Sequence, residues 1–294
     1  MTNFSTVTSK TDNQLQLRDG RILAYAEYGD PDGAPVFFFH GLPGSRLEGR
    51  IAHQAAKAVG VRIISLDRPG MGLSDYRRRR SILDWPQDVA EAADALGLAK
   101  FAVAGHSGGG PYVAACALQI PERLTAAGII SGTGPSDAPD ATKGMSLQNR
   151  TGFFVGRRLP WLARVGYWWL IGRRDPEVAI RQMARSIAKV DRPIIERPEV
   201  MEIFVEDLRE AFRRGSRGPA HELVLYSRPW GFRLEDISMP VLLWQGDADA
   251  NVSASMGRYQ AHAIPNCRAT FYAGGPSPLH RPHAGDPLGA LALT

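Results

Sequence analysis

Gly105-His106-Ser107-Gly108-Gly109 is the stretch whose residue types and spacing could do covalent chemistry. One serine between glycines, in a turn too sharp for bulkier neighbours, stands proud of the element before it. The first amides of the next helix then lie beside its hydroxyl. Such a hydroxyl can attack a carbonyl if a base takes its proton and positive dipoles receive the oxyanion. Among the histidines, His40 and His106 sit in turn motifs, where shaping a loop is the simpler role. His280 and His283 lie near the C-terminus. Asp247 and Asp249 follow an apolar run, and either could orient an imidazole. Cys116 and Cys267 are too few for a disulfide framework or a metal site, and Cys116 reads as a small core residue. No metal and no cofactor is expected.

The same spacing implies the elements that must hold these residues. Phe101 to Ala104 reads as a buried strand, and Pro111 to Leu118 as an apolar, alanine-rich helix. Upstream, Leu15–Leu17 and Ile22–Tyr28 form a hairpin at Asp19-Gly20. Val36–Phe39 is a strand running into the loop His40 to Arg46. A helix over about 47–59 closes at Gly60, a strand Val61–Leu66 runs into Asp67 to Ser74, and a helix spans 84–96. Ala126–Ile130 is another strand.

Strands apolar on both faces, alternating with helices, predict an α/β fold with a mostly parallel twisted sheet covered on both sides. The rhythm lapses between about 132 and 236, where arginines, aromatics and proline breaks predict about four short helices. It resumes at 239–246 and 269–273. The expected organisation is a flexible tail at 1–13, a core formed by 14–132 and 236–294, and a helical cap at 133–235. The cap would lie over the strand ends, where open α/β sheets bind ligands.

Composition bounds the partners. A 44% apolar share with 22% charge excludes wholesale disorder in this 294-residue chain. The net charge is +5, and 30 of the 35 basic residues are arginine. The run Arg77 to Arg80 lacks an aromatic or glycine platform and reads as a solvated loop edge, so no nucleic acid is expected. Met1 to Asn13 has no charged-then-apolar signal pattern, which favours a cytoplasmic protein. Leu159–Ile171 contains Arg164 and is too short to span a bilayer. A small-molecule substrate and no stable membrane association are expected, with the oligomeric state left open. Docking of the Trp161–Trp169 segment on a membrane or partner is a lesser reading.

From about Leu15 to Ala273 the chain resembles the α/β-hydrolase superfamily, in particular its capped serine hydrolases. Four ordered motifs carry the resemblance: His40-Gly41-Leu42-Pro43, Asp67-Arg68-Pro69-Gly70-x-Gly72-x-Ser74, the Gly105 to Gly109 turn, and Gly246-Asp247-x-Asp249-x-x-Val252. The resemblance implies Ser107 as nucleophile, an oxyanion hole from the backbone amides of Leu42 and Gly108, and Asp249 rather than Asp247 as the acid. It implies an acyl-enzyme and an ester or related carbonyl substrate, because relatives that cleave halides or epoxides carry aspartate at the turn. The cap's tryptophans would suit an apolar group when they do not simply pack the cap, and its arginines could meet a carboxylate.

The chain departs from the pattern where the histidine should follow the last strand. Position 276 is proline, and a proline- and glycine-rich tail stands in place of the closing helix. His280 is then the candidate base by elimination. A one-base shift of reading frame would place a CNT codon across Pro276–Ser277, histidine when N is A. The alternative function, because position 276 is proline, is a catalytically impaired or non-catalytic hydrolase-fold small-molecule binder.

Overall fold

The computed structural model describes residues 11–186, 192–249, 251–273 and 287–292. Most of the predicted tail, and all of Pro276, His280 and His283, lie outside the described residues.

Among the described residues eight strands form one sheet. They are β1 (Asn13–Gln16), β2 (Ile22–Gly29), β3 (Ala34–Phe39), β4 (Val61–Leu66), β5 (Phe101–His106), β6 (Leu124–Ile130), β7 (Val241–Gly246) and β8 (Cys267–Tyr272), in the order β1-β2-β4-β3-β5-β6-β7-β8. β1 and β2 form the predicted hairpin, and β2 also runs antiparallel to β4. Every other pairing is parallel. Parallel neighbours need crossovers, and short helices supply them: α1 (His53–Ala58), α2 (Trp85–Ala95) and α3 (Gly110–Gln119).

Alternation along each strand sends side chains to two cores. Phe37, Phe39, Ile64 and Val103 pack under α2 and α3, while Val36, Phe38, Ile63 and Ala104 pack on the opposite face. Helix α3 is buried from Gly110 to Ala117, so its small alanines let it lie close against β5 and β6. The predicted helix at 47–59 differs in its first half. Residues Arg46–Ala52 form a tighter 3-10 run, drawn onto β4 because a Cβ on Gly49 would lie 2.8 Å from the Ser65 Cβ.

Between β6 and β7 the described residues form six α-helices rather than about four short helices. They are α4 (Leu147–Arg158), α5 (Pro160–Tyr167), α6 (Pro176–Ser186), α7 (Arg192–Ile195), α8 (Pro198–Ala211) and α9 (Arg217–Tyr226). Helix α9 docks on the 67–74 loop: a Cβ on Gly218 would overlap the Gly70 carbonyl.

Beyond β7, α10 (Ala254–Ala263) packs on β7 and β8. A helix α11 (Pro287–Ala292) corrects the expectation that a proline- and glycine-rich tail stands in place of the closing helix. Leu288 and Leu291, three residues apart on one helical face, are buried beside Trp244 and cover the outer face of β6. Among the described residues no helix is long and apolar enough to cross a membrane.

Candidate active site

Ser107 sits immediately after β5 with φ 50°, a left-handed conformation that costs energy for any residue but glycine. The flanking glycines make it possible. A Cβ on Gly105 would lie 2.5 Å from the Gly109 carbonyl oxygen, and one on Gly109 would overlap the Phe39 carbonyl. The turn is fastened on its far side by the Thr133 amide, which donates to the Ser107 carbonyl at 2.9 Å. The side chain of Ser107 opens into a pocket at the carboxyl ends of the strands.

Leu42 lies beside the turn: a Cβ on Gly108 would come within 3.1 Å of the Leu42 Cβ. Among the described residues the Leu42 amide donates to no protein acceptor. Both backbones are pinned through their carbonyls. Tyr226 Oη lies 2.6 Å from the Gly108 carbonyl, its single proton shared between that oxygen and Glu222, and Arg68 donates to the carbonyls of His40 and Gly41 at 2.5 and 2.9 Å. One carboxylate joins the two pins. Glu222 Oε2 accepts from Arg68 Nε at 2.9 Å and from the Tyr226 hydroxyl. Its other oxygen accepts from Arg80 and, at 2.7 Å, from Tyr112. Burial alone would raise the Glu222 pKa, but the two guanidiniums override it and hold the carboxyl well below the usual range.

This corrects the reading of Arg77 to Arg80 as a solvated edge. Arg78 and Arg79 are exposed, but Arg77 pairs with Asp84 at 2.8 Å and Arg80 is buried against Glu222. No spacing rule marks Glu222, because its partners lie 142 and 154 residues away in the chain.

The Asp67 to Ser74 motif is a structural clasp. Asp67 accepts from the Arg46 and Leu73 amides at 2.6 and 2.9 Å and pairs with Arg46 at 2.7 Å. Gly72 must lack a side chain, since a Cβ there would overlap the Asp67 carboxylate. Burial pushes the Asp67 carboxyl up to about 6 despite these partners.

The pocket brings Ser107 and Asp249 together with Leu42, Glu48, His106, Ser131 and Asp207. Asp249 accepts from the Asn251 and Val252 amides at 2.8 and 3.0 Å. Burial pushes its carboxyl above the usual range, opposed by those amides, the nearby His106 and the Ser131 hydroxyl. Asp247 instead pairs with Arg258 at 2.9 Å and does not line the pocket.

The two upstream histidines differ. His40 is buried outside the pocket, with Nδ1 on the Gly41 carbonyl at 2.8 Å and Nε2 accepting from the Arg68 amide at 3.3 Å. Burial and the Arg68 charge keep it well below its ordinary pKa. His106 does line the pocket, its Nδ1 bonded to Glu48 Oε1 at 2.7 Å, while Glu48 Oε2 accepts from the Gly41 amide at 2.7 Å. The candidate base His280 lies outside the described residues.

The pocket's other wall is apolar and comes from the helical segment: Ile180, Met183, Ile195, Phe204 and Leu208. Among the described residues no arginine or tryptophan lines this pocket. Asp207 on α8 is a further residue that sequence reasoning missed. Ser45 donates to it through its amide and hydroxyl at 2.8 and 2.6 Å, while burial and the neighbouring Glu48 push its carboxyl well above the usual range. Burial also raises the Cys116 thiol, which is enclosed in α3 and far from thiolate chemistry.

Comparison with known proteins places this geometry in context. A family model described as alpha/beta hydrolase fold matches residues 34–160. The dihydrolipoyllysine-residue acetyltransferase component of the acetoin cleaving system of Pseudomonas putida is 34% identical over 120 residues, covering 40% of this chain and 32% of that protein. A bifunctional esterase/perhydrolase from Acinetobacter calcoaceticus is 23% identical over 276 residues, 88% of this chain and 90% of that one. The structure of an alpha/beta hydrolase fold protein from Nakamurella multipartita superposes with a TM-score of 0.70 at 21% identity, covering 96% of this chain and 99% of the other. The matches span only 32%, 43% and 36% of the length of the first three curated relatives.

Proposed function

We propose that this chain, which has the α/β-hydrolase fold and matches a family model of that description over residues 34–160, is a serine-dependent hydrolase of small ester or related carbonyl substrates. The observation that carries the reading is Ser107 at positive φ, with Leu42 against Gly108 and Asp249 in the same pocket.

The steps follow from that placement. Ser107 Oγ attacks the carbonyl carbon and its proton passes to a histidine base, for which His280 is the candidate. The carbonyl electron pair moves onto oxygen, where the Gly108 and Leu42 amides receive it. The base returns the proton to the leaving alkoxide, an acyl-enzyme forms, and water repeats the sequence to release the acid. Asp249 orients the imidazole and stabilises its cation. The helical segment 133–235 acts as the cap whose apolar wall holds the acyl or alcohol group. Hydrolysis of short-chain p-nitrophenyl esters tests the reading. Turnover by the wild type that disappears in Ser107→Ala supports it, and equal rates in the two proteins overturn it.

Pro276 favours a second reading, a small-molecule binder that has lost turnover. Ligand-induced thermal stabilisation, without Ser107-dependent covalent labelling by a fluorophosphonate, is its signature.

A further inference from the structure

The helices that form the outer side of the 133–235 segment carry an apolar face that no described residue covers. Trp161 is 66% exposed, Trp169 60%, Phe154 62% and Trp168 45%, with Val165 exposed between them. Trp161, Val165 and Trp168 are spaced i, i+4, i+7, so they form one stripe along α5 and the helical turn that follows it. The inward side is already satisfied. Ala163 is buried, Gly156 of α4 rests on Leu223 and Ser227, and both helices pack on α9.

Charge says what would cover this face. The 28 residues 147–174 contain six arginines (150, 157, 158, 164, 173 and 174) and no aspartate, glutamate or lysine. All six arginines are exposed, and none forms an ion pair among the described residues. Arg173 lies over the Trp169 ring, 4.5 Å from its centroid, so cation and aromatic are presented together. A second copy of the same face would bring twelve guanidiniums together without an acid to offset them. An anionic lipid surface offers both phosphates for the arginines and an interfacial layer for the indoles.

We propose that α4, α5 and the turn after them dock this protein reversibly on anionic phospholipid surfaces. The six arginines would meet the headgroups, and Trp161, Trp168 and Trp169 would enter the interface. This does not depend on the role of Ser107. It refines the expectation of no stable membrane association, because a face without a spanning helix supports peripheral, salt-sensitive binding. Docking in this way would bring the lipid surface to the helical segment whose Ile180 and Met183 line the pocket.

The full chain is tested by co-sedimentation with vesicles of phosphatidylcholine, alone or with about one third phosphatidylglycerol, at about 50 and about 300 mM salt. Acrylamide quenching is read in parallel. Trp85, Trp230 and Trp244 are 2%, 4% and 5% exposed, so quenching reports mainly on the other three tryptophans. Partition into the anionic vesicles alone, weakened by salt and accompanied by loss of quenching, is expected. Arg157→Gln/Arg158→Gln should lower the partition about tenfold, and Trp161→Ser/Trp168→Ser/Trp169→Ser at least as much. The arginine variant keeps every apolar contact, so it remains informative if the tryptophan variant folds poorly. No partition into anionic vesicles, equal partition into neutral ones, or a dimer in free solution whose tryptophans are already shielded would overturn the proposal.

Discussion

Glu222→Gln should separate stability from catalysis in a way the surrounding geometry makes quantitative. The wild-type carboxylate is fully buried and faces two guanidiniums, of Arg68 and Arg80, that are 0% and 2% exposed. It accepts on both oxygens, so glutamine must turn an NH2 toward groups that donate. Breaking a buried pair by removing one partner costs about 3–5 kcal/mol. At about 2–3 °C per kcal/mol for a domain of this size, the melting temperature should fall by about 6–15 °C. Glu222 also holds Arg68 and Tyr226, which pin the carbonyls of His40, Gly41 and Gly108. Well below the melting point, phosphonylation of Ser107 by a fluorophosphonate should therefore slow by about 10- to 100-fold. Asp88→Asn is the control, since it breaks the Arg21–Asp88 pair (2.6 Å) away from the pocket. It should lower the melting temperature and leave the phosphonylation rate unchanged. Equal rates in Glu222→Gln and wild type, or equal slowing in Asp88→Asn, would refute the positioning role. The pH dependence has a defined sign. The folded-state pKa of Glu222 is depressed, so its contribution is fully present above the ordinary value near 4.5 and is lost as pH falls through the lower folded value. The gap in melting temperature between wild type and Glu222→Gln should therefore be constant from neutral pH to about 5 and narrow in stronger acid.

Asp207 has the opposite sign: its folded pKa is raised, so wild-type stability falls as pH rises through that value. Asp207→Asn keeps an acceptor for Ser45 and should gain on wild type in melting temperature as pH increases; a constant gap would contradict this. Gly109→Ala forces a Cβ into the Phe39 carbonyl, whereas Gly20→Ala meets no atom within 4 Å and only strains φ at 86°. Soluble yield and melting should show Gly109→Ala unfolded or aggregated and Gly20→Ala destabilised by about 1 kcal/mol. Under the second reading, in which the chain lacks a base, Pro276→His should raise Ser107 labelling by at least about 100-fold. An unchanged rate would locate the base elsewhere, with His280 as the next residue to substitute.

The sheet was legible because its strands are short apolar runs bounded by glycine, and the turn around Ser107 because glycine is demanded at fixed offsets. The sequence distinguishes Asp249 from Asp247 only by its distance to Val252; of the two only Asp249 lines the pocket, and Asp247 pairs with Arg258. The Arg68–Glu222–Arg80 network was not legible. It is a contact between a core loop and a helix some 150 residues later, and neither charge carries a local pattern. Arg80 looked like a surface residue for the same reason, since composition around it says nothing of the carboxylate that arrives from α9. Helix α11 was hidden by the glycine and proline around it, although Leu288 and Leu291 carry the spacing that seats it.

The central claim is that Ser107 is an activated nucleophile, and peptide mapping after reaction with a fluorophosphonate addresses it most directly. One adduct per chain, confined to Ser107 and absent in Ser107→Ala, is the predicted result. A folded wild-type chain that gains no adduct at Ser107 after prolonged exposure, yet is thermally stabilised by pocket ligands, would contradict it.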